Sequence, residues 1–288
     1  MVTICEFLSQ YWMLSFHFRN YFRKMRALTN EPVIGHVTQG VIFNCLHLVG
    51  DDKTFGLVIS AKCDISHRKS KTVLCLPIFS LERWMEAVGK EEVLAQTGKG
   101  VSKSVADILF KYGVAKEALK IYGYESTLKV LEAKKIIKSD LDKLLLVRPY
   151  IENNEIVPQL KLFKEANNKL LDSLWRNTRA DAHFLERIFL SEHATGYVVD
   201  FTQPITLYRE VVDELSLGLE KFKYDRDAKG RYANLKLDSD ECGEIISVIA
   251  SPYIEHILQR FTHFYSRIGT QDMAEQDLHH LKGKYEIA

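Results

Sequence analysis

Residues 58–78 have the sequence VISAKCDISHRKSKTVLCLPI, in which two apolar, β-branched runs flank a polar loop. Residues 37–49 (VTQGVIFNCLHLV) predict one or two earlier strands, and residues 50–56 (GDDKTFG) predict a hairpin turn. The strands are too close in sequence for helical crossovers, so most of their pairing should be antiparallel. We therefore expect a compact, barrel-like β module over residues 31–80.

Apolar residues recur at helical spacing over residues 81–150, which predicts a helical insert. Gly98, Gly113 and Gly123 follow apolar segments and predict helix ends, because glycine readily adopts the left-handed conformation found there. Lysines outnumber acidic residues from residue 99 to residue 143. Scattered lysines are typical of a solvated helical face, although they also permit salt-dependent binding to a nucleic-acid backbone.

The remaining residues, 151–288, predict a second α+β part. A long helix is expected from about residue 158 to residue 176, where apolar residues recur at helical spacing. Strand-like segments follow, and we expect them to form a second small sheet: HFLERIFL, GYVVDF, PITLY, YANLKL and EIISVIA. The whole chain is therefore assigned to the α+β class.

The clearest single element is a long amphipathic helix after Ala250. Ser251 is a favourable N-cap, and Pro252 suits the first helical position, where its missing N–H costs nothing. Gly269 predicts the end of this helix. One apolar stripe runs between these signals, formed by Ile254, Ile257, Leu258, Phe261, Phe264, Tyr265 and Ile268.

Composition excludes several classes of protein. Residues 4–18 (ICEFLSQYWMLSFHF) are apolar but too short to span a bilayer, so residues 1–30 predict an amphipathic helix, or an extension preceding a start at Met25. The formal net charge of +1 gives no long-range attraction to a membrane or to nucleic acid. Five cysteines without paired spacing indicate a reducing compartment, so we expect a cytoplasmic protein without membrane association.

Reactive side chains cluster at the strand end in residues 58–78. Ser60, Asp64, His67 and Arg68 are the candidate catalytic residues there. Cys63 is a poor nucleophile, because the neighbouring Asp64 carboxylate disfavours the thiolate. The chain has no C-x-x-C pair of the kind that builds structural zinc sites, so neither a metal nor another cofactor is predicted. For the acidic residues of 181–200, ion pairs and strand-end caps are the favoured interpretation over a metal-dependent nuclease.

This order of strands resembles the PemK/MazF toxin family of small β-barrel ribonucleases. Residues 40–43, 57–60 and 73–78 occupy the places of the three core strand motifs of that family. The resemblance implies a ribonuclease barrel with Ser60 as one member of the catalytic pair. The arginine of the family, which would stabilise a phosphate in the transition state, falls instead at Phe55 and Gly56.

A second resemblance involves both ends of the chain. CDIS (63–66) and SPYIEHILQRFTHFYSRIG (251–269) resemble segments of bacterial proteins from mobile elements and anti-phage islands, which implies one functional unit but no mechanism. In the second segment, helical spacing places four residues on one face: His256, Arg260, His263 and Arg267. These residues could contact phosphate or nucleic acid, or they could form the solvated flank of an amphipathic helix.

Three functions follow from these patterns. The leading hypothesis is a non-catalytic adaptor or accessory subunit of a bacterial defence or mobile-element system, with a protein partner encoded nearby and RNA or DNA as a further contact. The first alternative is a ribonuclease-type effector that uses the candidate catalytic residues of 60–68. The second alternative is a DNA-binding regulator that uses Arg260 and Arg267.

Overall fold

A computed structural model describes residues 26–48, 53–189 and 196–266. The helix or extension predicted over residues 1–30 lies outside these ranges except for residues 26–30, of which Thr29–Asn30 form a strand. Arg267 and the helix end predicted at Gly269 also lie outside them. The predicted hairpin turn at residues 50–56 is described only from Lys53 onwards, where a strand begins.

Within the described residues, eight strands form one antiparallel sheet. Its strand order is β1-β8-β2-β3-β4-β6-β5, and β7 pairs with the first half of β4. The strands are β1 (Thr29–Asn30), β2 (Val41–His47), β3 (Lys53–Val58), β4 (Thr72–Ser80), β5 (Ala182–Leu185), β6 (Tyr197–Asp200), β7 (Ile205–Tyr208) and β8 (Ile245–Ile249). The α+β class and the antiparallel pairing of β2, β3 and β4 are confirmed.

The sheet is open, because β1 and β5 lie at opposite ends of the strand order. The prediction of a second small sheet is wrong, since β5 to β8 join the same sheet as β2 to β4. The nine-residue strand β4 is long enough to pair with both β6 and β7 along one edge. Residues 232–237, predicted as a strand, form turns with one isolated bridge from Leu235 to Leu46.

The helices lie mainly between β4 and β5. They are α1 (Lys62–Ser66), α2 (Leu81–Trp84), α3 (Lys90–Lys111), α4 (Ala118–Tyr122), α5 (Tyr124–Ala133), α6 (Lys138–Asn153), α7 (Lys161–Trp175), α8 (Arg209–Leu217), α9 (Lys221–Asp225) and α10 (Tyr253–Ser266). A π-helical turn, Met85–Gly89, joins α2 to α3. The predicted helical insert and the predicted helix over residues 158–176 are therefore confirmed as helical.

Gly113 and Gly123 have positive φ angles and lie at helix ends, as predicted. The prediction for Gly98 is wrong, because this residue lies inside α3. A Cβ atom at Gly98 would lie 2.7 Å from the Tyr150 hydroxyl of α6. The absence of a side chain therefore permits close packing there rather than ending the helix.

The sheet lies between two helices, because successive side chains of each strand point to opposite faces and each face packs against one helix. Phe43 and Val73 pack with Val211 and Leu215 of α8, in one apolar cluster. On the opposite face, Ile42 and its neighbours pack with Ile254 and Ile257 of α10. A third apolar cluster lies among the helices of 81–175 and includes Trp84, Leu109, Phe163, Phe184 and Val198. Both faces of the sheet are therefore buried, which explains the nearly continuous apolar sequence of β2 and β4.

The helix predicted after Ala250 is confirmed as α10, but it begins at Tyr253, so the prediction of Ser251 as N-cap and Pro252 as first helical residue is wrong: both lie in the preceding turn. The Ala250 carbonyl accepts hydrogen bonds from the N–H groups of Tyr253 (2.9 Å) and Ile254 (3.2 Å), which starts the helix beside the end of β8. Ile254 and Ile257 are buried, whereas His256 and His263 are exposed. The amphipathic pattern thus presses the apolar stripe onto the sheet.

Candidate functional site

Ser60 lies just after β3, and its side chain stabilises the adjoining hairpin. The Ser60 hydroxyl accepts a hydrogen bond from the backbone N–H of Leu74, at 2.8 Å. The side chain of Gln39 donates to the carbonyls of Ile59 and Ser60, both at 3.0 Å. The hydroxyl that was predicted as a catalytic group is therefore part of the contact that joins the end of β3 to β4.

Asp64, His67 and Arg68 lie on α1 and the turn that follows it. The Asp64 carboxylate accepts a long hydrogen bond from the Cys63 thiol, at 3.6 Å. The His67 side chain is exposed, and its backbone N–H closes the turn on the Cys63 carbonyl at 3.1 Å. Arg68 has a positive φ and lies 3.7 Å from the Asp213 carboxylate of α8. These three predicted residues are close in the chain and lie on one surface turn, whereas the Ser60 hydroxyl bonds to β4.

Arg209 was not a candidate from the sequence, yet it fixes this turn to α8. Its Nη1 donates to the Ile65 carbonyl at 2.6 Å, and its Nε donates to Asp213 at 3.0 Å. The Arg209 side chain is largely buried, whereas that of Arg68 is 77% exposed. The i, i+4 spacing of Arg209 and Asp213 was the available sequence signal.

A second polar cluster lies where α10, β5 and the loop before β5 meet, and we call it the junction network. It consists of Asn177, Arg179, His183, His256 and Arg260. The Nη1 of Arg260 donates to Asn177 Oδ1 at 3.0 Å and lies 2.6 Å from His183 Nδ1, while Nη2 donates to the Arg179 carbonyl. Arg260 is half-buried; these polar contacts are to protein groups, and the guanidinium also lies over the Phe201 ring, 5.8 Å from its centroid.

His183 is the buried member of the junction network. Burial, followed by the nearby charges of Arg260, His256 and Arg26, lowers the pKa of His183 to about 3. The ring of His256 meets that of His183 edge-on, with centroids 5.3 Å apart. A neutral His183 can accept a hydrogen bond from Arg260 through Nδ1, and protonation at that atom would remove the acceptor.

Asn177 and Arg179 complete the junction. The Asn177 side chain bonds to both backbone groups of Phe184, accepting from N–H at 2.6 Å and donating to the carbonyl at 3.2 Å. This pairing covers part of β5, the strand at one end of the sheet. Arg179 forms ion pairs with Asp181 (2.8 Å) and Glu92 (2.7 Å), at the wall of a cleft of about 290 Å³.

The acidic residues of 181–200 have the structural contacts that the sequence favoured. Asp181 pairs with Arg179, and Glu186 pairs with Arg26. Asp200 ends β6, and its Oδ1 accepts hydrogen bonds from the N–H and hydroxyl of Thr202, both at 2.7 Å. These contacts confirm ion pairing and strand-end capping at the three positions.

The positions of the cysteines and of other potential ligands show whether the described residues could hold a metal ion. Cys45 and Cys75 are buried, and burial raises the pKa of both thiols far above the usual range. Within the described ranges, no three His, Cys, Asp or Glu side chains are grouped so as to hold a metal ion. In the same part of the chain, none of the helices is both long and apolar enough to cross a membrane.

Comparison with known proteins yielded no match to a family model, a curated protein or a solved structure. The resemblances to PemK/MazF toxins and to mobile-element proteins therefore stay predictions. The roles proposed for Ser60, Asp64, His67 and Arg68 in catalysis, and for His256, Arg260 and His263 in nucleic-acid contact, also stay predictions.

Proposed function

We propose that this protein is a non-catalytic accessory subunit of a bacterial defence or mobile-element system, and that it acts by binding a protein partner. The observation that carries the proposal is an exposed apolar surface formed by Val33, Ile34 and Leu217, which we call the apolar tip. The side chains are 66%, 86% and 71% exposed, respectively. Single exposed apolar residues are ordinary, but neighbouring ones on fixed backbone favour a contact surface.

The backbone of the apolar tip is held in place by hydrogen bonds. The His36 N–H donates to the Val33 carbonyl at 3.0 Å, which closes a turn with Ile34 and Gly35 at its centre. The Gly35 N–H donates to the Ser216 carbonyl at the end of α8, also at 3.0 Å. Gly35 has a φ of 74°, which favours glycine at this position. A surface fixed in this way loses little conformational entropy when a partner binds.

The contacts of the predicted catalytic residues support a non-catalytic role. The Ser60 hydroxyl accepts a hydrogen bond from the backbone of β4, and Arg68 lies 3.7 Å from the Asp213 carboxylate of α8. The cellular setting rests on the resemblance of residues 63–66 and 251–269 to proteins of mobile elements and anti-phage islands. Four cysteines in the described part of the chain are free thiols, which supports the cytoplasm as the compartment.

Co-expression with the products of adjacent genes tests this proposal. We expect the chain to elute with one of these proteins in size-exclusion chromatography with light scattering. The Ile34→Ser, Leu217→Ser double variant should elute alone, because it removes the two most exposed apolar side chains of the tip and leaves its backbone hydrogen bonds.

The matched control is Leu145→Ser, which removes an exposed apolar side chain from α6 and should leave the complex intact. Elution of the wild-type chain as a monomer in the presence of each neighbouring gene product would refute the proposal. Unchanged complex formation by the double variant would refute the role of the apolar tip.

A further inference from the structure

The loop before β8 adjoins the apolar tip. The backbones of Leu219 and Gly243 exchange two hydrogen bonds: the Leu219 N–H donates to the Gly243 carbonyl at 2.7 Å, and the Gly243 N–H donates to the Leu219 carbonyl at 2.9 Å. A Cβ atom at Gly218, the residue after Leu217, would lie 3.3 Å from the Cys242 Sγ. The loop before β8 therefore lies beside the end of α8 that carries the tip.

Two glutamates flank this pairing on its solvent side, and we call them the acidic rim. In extended pairing, the residues next to a bridged pair point to the face opposite that pair. Leu219 is buried together with its bridge partner, whereas the neighbouring Glu220 and Glu244 are exposed. The Glu220 side chain forms no capping hydrogen bond to α9. Asn44 fixes Glu244 through hydrogen bonds to its backbone N–H, at 3.0 Å, and its carbonyl, at 3.2 Å.

The acidic rim keeps its negative charge. Lys221 and Lys223 are the lysines nearest to Glu220 along the chain, and they form ion pairs with carboxylates of α9 and α8 instead. Burial, followed by the charges of both rim carboxylates, raises the pKa of the neighbouring Cys242 thiol. A partner that contacts the apolar tip therefore does so beside uncompensated negative charge.

The acidic rim restricts what the apolar tip can bind. A symmetric dimer formed through the tip would bring the rim carboxylates of both copies together, and their like charges would repel. The phosphates of nucleic acid and of anionic lipids would also be repelled. A protein segment that carries lysine or arginine beside apolar side chains is complementary to both the tip and the rim.

We propose that the partner presents a basic amphipathic segment, whose apolar side chains contact Ile34 and Leu217 and whose lysine or arginine side chains pair with Glu220 and Glu244. This inference rests on the proposed function and specifies the chemistry of the partner. Burial of apolar side chains supplies most of the affinity, because each exposed ion pair contributes little. The rim charges speed association and exclude partners with acidic flanks.

Fluorescence anisotropy with labelled synthetic helical peptides tests the inference on the full chain. One peptide carries a leucine stripe flanked by lysines, a second carries the same stripe flanked by glutamates, and a third is the lysine peptide with its sequence scrambled. We expect the lysine-flanked stripe to bind at least about tenfold more tightly than the other peptides. Its affinity should fall as salt rises from about 0.01 M to about 1 M, because the Debye length decreases from about 30 Å to about 3 Å.

Charge reversal separates the contribution of the rim from that of the tip. Glu220→Lys with Glu244→Lys should weaken binding of the lysine-flanked peptide about tenfold, mainly by slowing association, and should favour the glutamate-flanked peptide. The matched control, Asp107→Lys with Glu132→Lys, changes the net charge by the same amount at exposed positions of α3 and α5. It should bind as the wild type does. The double serine variant of the apolar tip should bind neither stripe peptide.

The outcomes distinguish this inference from the proposed function. Equal affinity for the lysine- and glutamate-flanked peptides, equal affinity for the scrambled peptide, no binding of the lysine-flanked peptide, or an equal loss in the control would each overturn the inference. A co-expressed partner whose affinity is unchanged by charge reversal but lost in the serine variant would also overturn it, and the proposed function would stand. Peptide binding as expected, without a complex with any neighbouring gene product, would refute the proposed function alone.

Discussion

Arg260 occupies the boundary between the exposed flank of α10 and its apolar stripe. Its spacing from His256 and His263 predicted a common flank, and the two histidines are exposed as expected. The guanidinium nevertheless turns toward Asn177 and His183, whose positions are 83 and 77 residues away in the chain. Helical spacing cannot reveal such acceptors, because they belong to another element.

His183 makes the junction network sensitive to acid. The pKa of His183 is about 3 in the folded chain, against an ordinary value of 6.5 for a solvated histidine. Between these pH values the unfolded chain binds a proton that the folded chain does not. The contribution of His183 to the free energy of unfolding is therefore fully present above pH 6.5 and falls as the pH decreases toward 3. We expect this single proton to lower the free energy of unfolding by about 1.4 kcal/mol for each pH unit below about pH 6.

Urea unfolding from pH 7 to about pH 4.5 measures that contribution. His183→Asn preserves a hydrogen-bond acceptor for Arg260 but does not titrate, so its stability should fall less steeply with acid than that of the wild type. Val199→Ala changes the buried cross-strand neighbour of His183 and should lower stability while keeping the wild-type slope. Parallel slopes for His183→Asn and the wild type would contradict the prediction.

At the scale of elements, α3 contains two glycines whose surroundings differ. A Cβ atom at Gly98 would lie 2.7 Å from the Tyr150 hydroxyl, whereas one at Gly100 would lie 2.9 Å from the terminal carbon of Leu162. Leu162 is partly exposed and can rotate away, but Tyr150 is a stiffer side chain packed against Phe163. The same substitution should therefore have opposite effects at the two positions.

We expect Gly100→Ala to stabilise the protein by about 1 kcal/mol, because alanine is the better helix former. Gly98→Ala should destabilise it, and Tyr150→Phe should rescue that loss by removing the atom that the new methyl group meets. Denaturant unfolding of the single and double variants gives the coupling energy, which should be about 1 kcal/mol or more. Additive effects of Gly98→Ala and Tyr150→Phe would show that the close approach of the Tyr150 hydroxyl does not explain why a glycine occupies position 98.

At the scale of the whole molecule, the sequence predicted local structure better than pairing. The α+β class, the helical residues after 81 and the presence of α10 all depend on local periodicity and turn chemistry, and they were predicted correctly. The pairing of Val41 with Val248 depends on contacts between distant residues, which no local pattern encodes. The apolar run IISVI of β8 indicated a buried strand, but not its place between β1 and β2.

The place of β8 predicts that the two ends of the chain fold together. β8 pairs with β1 through Thr29 and Ile249 and with β2 through Val41 and Val248, while α10 covers one face of the sheet. A chain ending at Ser239 would leave both neighbouring strands without β8 and would expose the apolar residues beneath α10, such as Ile42.

We therefore expect residues 1–239 alone to lack a cooperative urea transition and a near-ultraviolet circular dichroism signal. The cut lies in an exposed loop, so residues 240–288 supplied as a separate chain should restore both signals, with a midpoint that depends on protein concentration. Restoration of both signals would show that residues 1–239 fail to fold because they lack the contacts of β8 and α10, and not because the chain has been cut. A cooperative transition in residues 1–239 alone would mean that β1 to β7 form a stable sheet without β8, and the two ends of the chain would then be energetically independent.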